Sequence, residues 1–386
     1  MKKTHRNEIQ RLLLAAALSA GLGIGFSTSA LAVGTHSYII DLNSNTFTDL
    51  GTLGGSFGYA AAINDAGQVA GRLATAANLS HAFITGPNGV GITDLGTLGG
   101  QNYSQATGIN ATGQVTGTHN PAGAEHNSHA FITGPNGVGA TDIGTLAGAS
   151  NSFATGINAA GQVTGNADAP ITGNFHAFIT GPNGVGITDL GTLGGFQSQA
   201  YGINDTGQVV GVATTATGDF HAFITGPNGV GMTDLGTMGG GNYSEADGIN
   251  AAGQVAGKFV TASGVSHAFI TGPNGVGMTD LGSLGGDLTA ASGVSGISDA
   301  GQVVGRFITA AGADHAFITG PNGVGMTDLN SLVSVPGGDI LTSATAINNH
   351  GQVVAIGSLV PEPETYALLL AGLGLIGVMV RRRKPA

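Results

Sequence analysis

Short runs of alternating apolar and polar residues, broken by glycine, recur along most of the chain. His221 to Gly240 reads HAFITGPNGVGMTDLGTMGG, and nearly the same text starts at His81, His129, His176, His267 and His315. The steps between these histidines are 48, 47, 45, 46 and 48 residues. A fixed period of this size marks a repeat architecture. Each unit predicts four strands. The first is small and apolar and ends in Gly-Ile-Asn, as at Gly108-Ile109-Asn110 and Gly202-Ile203-Asn204. The second is Gly-Gln-Val-x-Gly, the third His-Ala-Phe-Ile-Thr and the fourth x-Thr-Asp-Leu-Gly. Asn204-Asp205-Thr206-Gly207 and the recurring Gly-Pro-Asn-Gly are hairpin turns, because Asn and Gly tolerate positive φ and Pro fixes its own.

Four strands per unit is the size of a β-propeller blade. Gly-Gln-Val occurs seven times, at Gln68, Gln114, Gln162, Gln208, Gln254, Gln302 and Gln352. A worn third and fourth strand, His36-Ser37-Tyr38-Ile39-Ile40 and Thr46-Phe47-Thr48-Asp49-Leu50, opens the repeats. A lone first and second strand, Thr345–Asn348 and Gly351–Val354, closes them. Together they complete one unit, and pairing both chain ends leaves no exposed sheet edge. The expectation is an all-β, seven-bladed propeller of about 46-residue, four-stranded repeats closed by both chain ends, from 33 to 358. An open solenoid or irregular β-array is the alternative, but it has no need of complementary half-units.

The two ends differ from the repeats. Residues 1–32 predict a secretory signal peptide with a helical h-region. Lys2, Lys3, Arg6 and Arg11 precede Leu12 to Phe26, and Ala30-Leu31-Ala32 is a small-x-small cleavage site for signal peptidase. A retained membrane anchor is the competing reading. At the other end, Tyr366 to Val380 is uncharged and Arg381-Arg382-Arg383-Lys384 follows. That pattern predicts a short transmembrane helix in the inner membrane with its basic end in the cytoplasm.

Composition narrows the function. Only Arg72, Lys258 and Arg306 are basic between Val33 and Val360, against 19 acidic residues. So acidic a surface excludes nucleic acid as a partner and suits a cation or a neutral glycan. The chain has no Cys, so its stability in an oxidising compartment must come from packing rather than disulfides.

Two resemblances rest on these residues. Val360, Pro361, Glu362 and Pro363, followed by a short hydrophobic helix and a basic cluster, resemble a PEP-CTERM sorting signal over 359–386. The resemblance implies recognition by an exosortase, removal of the tail, and delivery to the cell surface or extracellular matrix of a Gram-negative bacterium. The repeats resemble the HAF family of extracellular repeats through His-Ala-Phe, Thr-Asp-Leu-Gly-Thr-Leu-Gly-Gly and Gly-Ile-Asn-x-x-Gly-Gln-Val. That resemblance implies no activity and carries over no catalytic residue or cofactor.

The repeated histidines are too far apart on third strands to share one metal, and they read as structural pairing groups. The repeated Asp49, Asp94, Asp142, Asp189, Asp234, Asp280 and Asp328 read as caps of turn amides. The repeated Gln residues read as buried hydrogen-bond partners between strands. Positions that break the repeat carry the functional expectation. His119, Glu125, His126 and His129 lie within 11 residues and could hold zinc or copper, with a solvated loop as the competing reading. Tyr103, Tyr201 and Tyr243, with Asn102 and Asn242, lie on or near the variable connections and suit stacking and hydrogen bonding to sugar, with drift of exposed loops as the alternative. No Ser–His–Asp order and no paired acids stand out, although Glu245 and Asp247 do not recur. The resulting expectation is a non-enzymatic surface module binding exopolysaccharide or another surface partner. A secreted propeller hydrolase or lyase, marked by a carboxylate pair, and a purely structural matrix component are the alternatives.

Overall fold

The computed structural model describes residues 36–52, 54–99, 103–123, 127–169, 173–284, 293–335 and 338–359. The chain divides into two compact units, Met1–Val33 and Gly34–Ala386, and every described residue belongs to the second.

The strands form six sheets around a ring, antiparallel but for one parallel pair. One typical sheet holds Ser152–Ile157, Val163–Asp168, Phe175–Thr180 and Ile187–Asp189 in chain order. The closing sheet joins the two ends: Thr46–Asp49 and His36–Asp41 pair beside Gln352–Leu359 and Asp339–Ile347, with His36 opposite Gly357 and Asp41 opposite Gln352. The complementary half-units at the chain ends therefore do meet.

The expected count of seven separate blades is corrected. Five sheets are separate four-stranded blades, and the sixth is a single sheet of eight strands between Gly194 and Gly282. In that sheet Phe220 and Tyr243 pair in parallel and fuse two four-strand units. The physical reason is local. Tyr243 opens its strand beside the third strand of the preceding unit, and its ring lies 6.1 Å from that of Phe220. Ser80 and Tyr103 make the same bridge elsewhere as an isolated pair. The predicted helices are corrected as well. The signal segment and residues 360–386 lie outside the described residues. Among the described residues only 3-10 turns occur, and no helix is long and apolar enough to cross a membrane.

The core lies between blades rather than within them. The Phe of each His-Ala-Phe, from Phe83 to Phe317, is fully buried. Phe131 packs with Ala106, Ile109 and Val115 of its own sheet and with Ala70, Ala82 and Ile84 of the preceding one. Polar links cross the same interfaces. The Asn158 amide donates to the Gln162 side chain at 2.8 Å and to the Asn204 carbonyl of the next unit at 3.1 Å. Asn64, Asn110, Asn204, Asn250 and Asn348 repeat that cross-unit bond. The repeated Gln residues reach further than strand pairing: Gln114 Nε2 donates to Asn183 of the next unit at 3.3 Å. Asn183 and its five counterparts hold φ between 53° and 56° in the Gly-Pro-Asn-Gly turn, where Asn is tolerated. That turn bonds back to the Gly-Gln-Val turn, as in Gly184 N–H to Gly161 O at 3.0 Å. The near-identical turns therefore occupy one face of the ring, and the variable connections occupy the other.

Candidate functional site

The repeated His and Asp residues pair within each sheet. His176 Nδ1 lies 2.8 Å from Asp189, and Asp189 also accepts the Gly191 N–H at 2.8 Å. The same arrangement recurs from His81 to His267. These residues tie the third strand to the fourth and do not converge.

The variable face of the eight-stranded sheet holds a different arrangement. Three aromatic rings form a row. Phe196 is 49% exposed, and its ring meets Phe220 edge-on at 6.5 Å, which in turn meets Tyr243 at 6.1 Å. Beside the row, the Tyr243 hydroxyl donates to the Glu245 carboxylate. Lys258, directly opposite Glu245 on the next strand, pairs with it at 2.7 Å. The Tyr201 hydroxyl donates to Gln199 Oε1 at 2.8 Å.

Tyr243, Glu245 and Asp247 alternate along one strand, so they share a face. Asp247 sits at a register shift between Ala246 and Gly248. All seven first strands carry this irregularity two residues before their Ile, and a bulge re-aims the side chain it carries. At the matching position Thr107, Thr155 and Thr345 donate to the next unit's carbonyls Ala154 O, Ala200 O and Ala60 O at 2.8, 3.0 and 2.8 Å. Asp247 Oδ2 is sealed from solvent and has no hydrogen-bond partner. Burial, then the Glu245 charge, push the Asp247 carboxyl well above the usual carboxylate range, against the opposing pull of Lys258. Burial first and Glu245 second also raise the Tyr201 and Tyr243 hydroxyls.

A second aromatic corner lies one side of Tyr103. Arg72 stands 5.8 Å from both the Phe57 and Tyr59 ring centres, and Tyr59 is 41% exposed. Tyr103 of the next unit bridges to Ser80, whose Oγ is buried without a partner.

Of the residues expected from sequence, Tyr201 and Tyr243 come together, and Tyr103 belongs to the second corner. Asn242 is exposed beside Tyr243, while Asn102 lies outside the described residues. Of the expected metal set, His119 and His129 face each other across paired strands. His129 Nδ1 lies 2.8 Å and His119 Nε2 3.9 Å from Asp142. Burial lowers the proton affinity of His119, and neither of its ring nitrogens has a hydrogen-bond partner. Among the described residues no three His, Asp or Glu are placed to hold a metal ion. Glu125, His126, the cleavage residues Ala30 and Ala32, and Val360, Pro361, Glu362 and Pro363 lie outside the described residues. Sequence reasoning passed over Phe196, Phe220, Lys258 and Arg72. Comparing units position by position is the signal that finds them: Phe220 is matched before His-Ala-Phe by Phe175 alone, and Arg72 and Lys258 share one column with Arg306.

Comparison with known proteins identifies one segment. Residues 359–384 match the PEP-CTERM protein-sorting motif. The chain is thus an exported, cell-surface protein whose sorting signal is processed by an exosortase. No curated protein matches the chain. Among solved structures, a prolyl endopeptidase is 10% identical, with a TM-score of 0.55 over 83% of this chain and 55% of its own. TolB from Acinetobacter baumannii is 11% identical with a TM-score of 0.46, covering 75% of this chain and 63% of that one. The β-propeller domain of the trilobed protease from Pyrococcus furiosus is 11% identical with a TM-score of 0.48, covering 76% and 86%. At such identity the likeness speaks for the fold alone.

Proposed function

We propose that this protein is a non-enzymatic surface module that binds extracellular polysaccharide on its variable face. The observation that carries the reading is the row Phe196–Phe220–Tyr243 beside Tyr201, Glu245 and Lys258. Rigid aromatic rings give apolar area at low entropic cost, and flanking polar groups fix orientation. Asn242 and, in the second corner, Tyr103 are further expected sugar contacts, as is Asn102, which lies outside the described residues. The repeats fit the HAF resemblance, with residues 33–358 as the folded unit between a signal peptide at 1–32 and the sorting segment.

A hydrolase or lyase is the second reading, favoured by the Glu245–Asp247 carboxyl pair. It is weaker because Glu245 is engaged by Lys258 and Tyr243, and Asp247 Oδ2 is sealed. A metal held by His119 and His129, joined by Glu125 and His126, is a separate proposal, favoured by the unpartnered ring of His119. The deciding experiment is binding of the purified chain to a panel of acidic and neutral oligosaccharides, with and without chelator. Saturable binding weakened by Phe196→Ala supports the module, and release of shorter sugars abolished by Glu245→Gln would replace it with the enzyme. Binding to no glycan would reject the module.

A further inference from the structure

The three basic residues among the described part of the chain are Arg72, Lys258 and Arg306. All three stand four residues after the Gln of a Gly-Gln-Val, at Gln68, Gln254 and Gln302. In a unit of about 46 residues, that coincidence points to a shared setting rather than to chance. The setting is the second strand, where it faces the first strand near the variable connections. Arg72 opposes Tyr59, Lys258 opposes Glu245, and Arg306 opposes Gly293.

Two of the three have an acid supplied by the chain itself. Lys258 pairs with Glu245 at 2.7 Å, and Arg306 Nε lies 3.5 Å from Asp314. Arg72 has neither. Its cross-strand partner is Tyr59, and the position that holds Asp314 in the other unit is Ser80 here, with its Oγ buried and unpartnered. Among the described residues the Arg72 guanidinium makes no hydrogen bond and no ion pair, and it rests against Phe57 and Tyr59.

We infer that Arg72 is an anion-reading position, and that the polysaccharide bound on the variable face carries carboxylate groups, as a uronic acid does. The inference rests on the glycan-binding reading above and names the chemistry of its ligand. The guanidinium is a planar fork that holds a carboxylate through two parallel bonds. The rings of Phe57 and Tyr59 hold that fork in place and offer the adjoining apolar face that a sugar ring needs. The acidic surface of the propeller does not prevent this, because charges beyond about 8 Å are largely screened at physiological ionic strength. Instead it makes Arg72, the one unpaired Lys or Arg among the described residues, selective for where an acidic ligand settles.

The test compares an oligogalacturonate with its methyl ester, against the full chain and three variants. The acid should bind the wild type about tenfold more tightly than the ester, as befits one charge-assisted pair. Arg72→Gln should remove that preference and leave ester binding within about twofold, and Arg72→Lys should keep part of it. Phe196→Ala should weaken both ligands alike. Equal binding of acid and ester by the wild type, or a preference that survives Arg72→Gln, overturns the inference while leaving the glycan module standing. Absence of binding to either ligand and to every neutral glycan overturns both. Should Arg72→Gln melt at a much lower temperature, Arg72→Lys decides. Full retention of the preference by the lysine variant would reject bidentate reading.

Discussion

Replacing Ser298 by Asn tests whether the belt of side-chain amides holds the blades together. Asn158 shows what a full member of the belt does. Its Nδ2 donates to Gln162 at 2.8 Å and to the Asn204 carbonyl at 3.1 Å, and its Oδ1 accepts the Ala160 and Gln162 N–H groups at 3.1 and 2.9 Å. Ser298 occupies the matching turn, yet its hydroxyl makes only one of these four bonds, accepting Gln302 N–H at 3.2 Å. The backbone is already in place: Asn250 donates to Ser298 O at 3.1 Å, and Gly301 N–H bonds Ser298 O at 2.9 Å as Gly161 bonds Asn158 at 3.0 Å. Asn at this position adds three bonds at about 0.5–1.5 kcal/mol net each. Ordering the longer side chain offsets up to about 1 kcal/mol. The expected gain is about 0.5–3.5 kcal/mol, seen in calorimetry as a Tm rise of about 1–5 °C. The mirror variant Asn158→Ser orphans buried groups that now have partners, and it should lose about 2–4 kcal/mol. Equal melting of the wild type and both variants would refute the argument that the belt carries stability.

Three further outcomes follow from the same geometry. Asp247→Asn should stabilise the protein at neutral pH by about 1–3 kcal/mol, because it removes an ionisable group whose charged form is disfavoured by burial and by Glu245. The folded state raises the Asp247 pKa, so the contribution of this residue to stability is fully present below the unfolded value of about 3.9 and is lost as pH rises through the folded value. The variant should flatten that decline in urea titrations between pH 4 and neutrality, and an unchanged profile would count against it. Tyr38, Tyr201 and Tyr243 should ionise above the ordinary tyrosine range, since burial raises all three hydroxyls. Ultraviolet titration of the folded protein against single Tyr→Phe variants checks this. Phe223→Ala should cost about 3–5 kcal/mol, the range for truncating a fully buried Phe, as measured by chemical denaturation.

The strands, their order and the closure by both chain ends were legible because the unit repeats. Each His-Ala-Phe buries its Phe, and each Asn-x-x-Gly turn recurs with the same spacing. The fusion of two units into one sheet was not legible. It depends on a single parallel pair, Phe220 with Tyr243, and Tyr103 occupies the same column with only an isolated bridge. The reach of the Gln side chains was read one step short, since a repeat pattern shows what recurs but not whether a partner lies in the same unit or the next. At the site, Tyr201 and Tyr243 were picked out as ring-bearing breaks in the repeat. Phe196 and Phe220 were missed because phenylalanine in a β-repeat reads as core. Only burial distinguishes the 49% exposed Phe196 from the sealed Phe223. The Glu245–Lys258 pair was missed because its members are 13 positions apart and meet through register.

The repeat also explains where function can reside. Its fixed positions are committed to neighbours. Asn158 links to Asn204, Gln114 to Asn183, His176 to Asp189, and each buried Phe packs across an interface. Changing an Asn, Gln or Phe of this set strands a buried partner, which costs more than the bond itself contributed. The alternate residues of the first strand, and the residue four beyond each Gln, have no partner common to every unit. Those positions are therefore free to differ, and Tyr59, Arg72, Tyr201, Tyr243, Glu245, Asp247 and Lys258 all stand there. Their divergence carries a cost of its own, because Asp247 Oδ2 and Ser80 Oγ are left sealed and unpartnered. Threonine at the bulge, as in Thr155, would avoid the first of these penalties by bonding the next unit. A position that forgoes an available bond and buries a charge-bearing group is under a demand other than stability, and the variable face is where those positions collect.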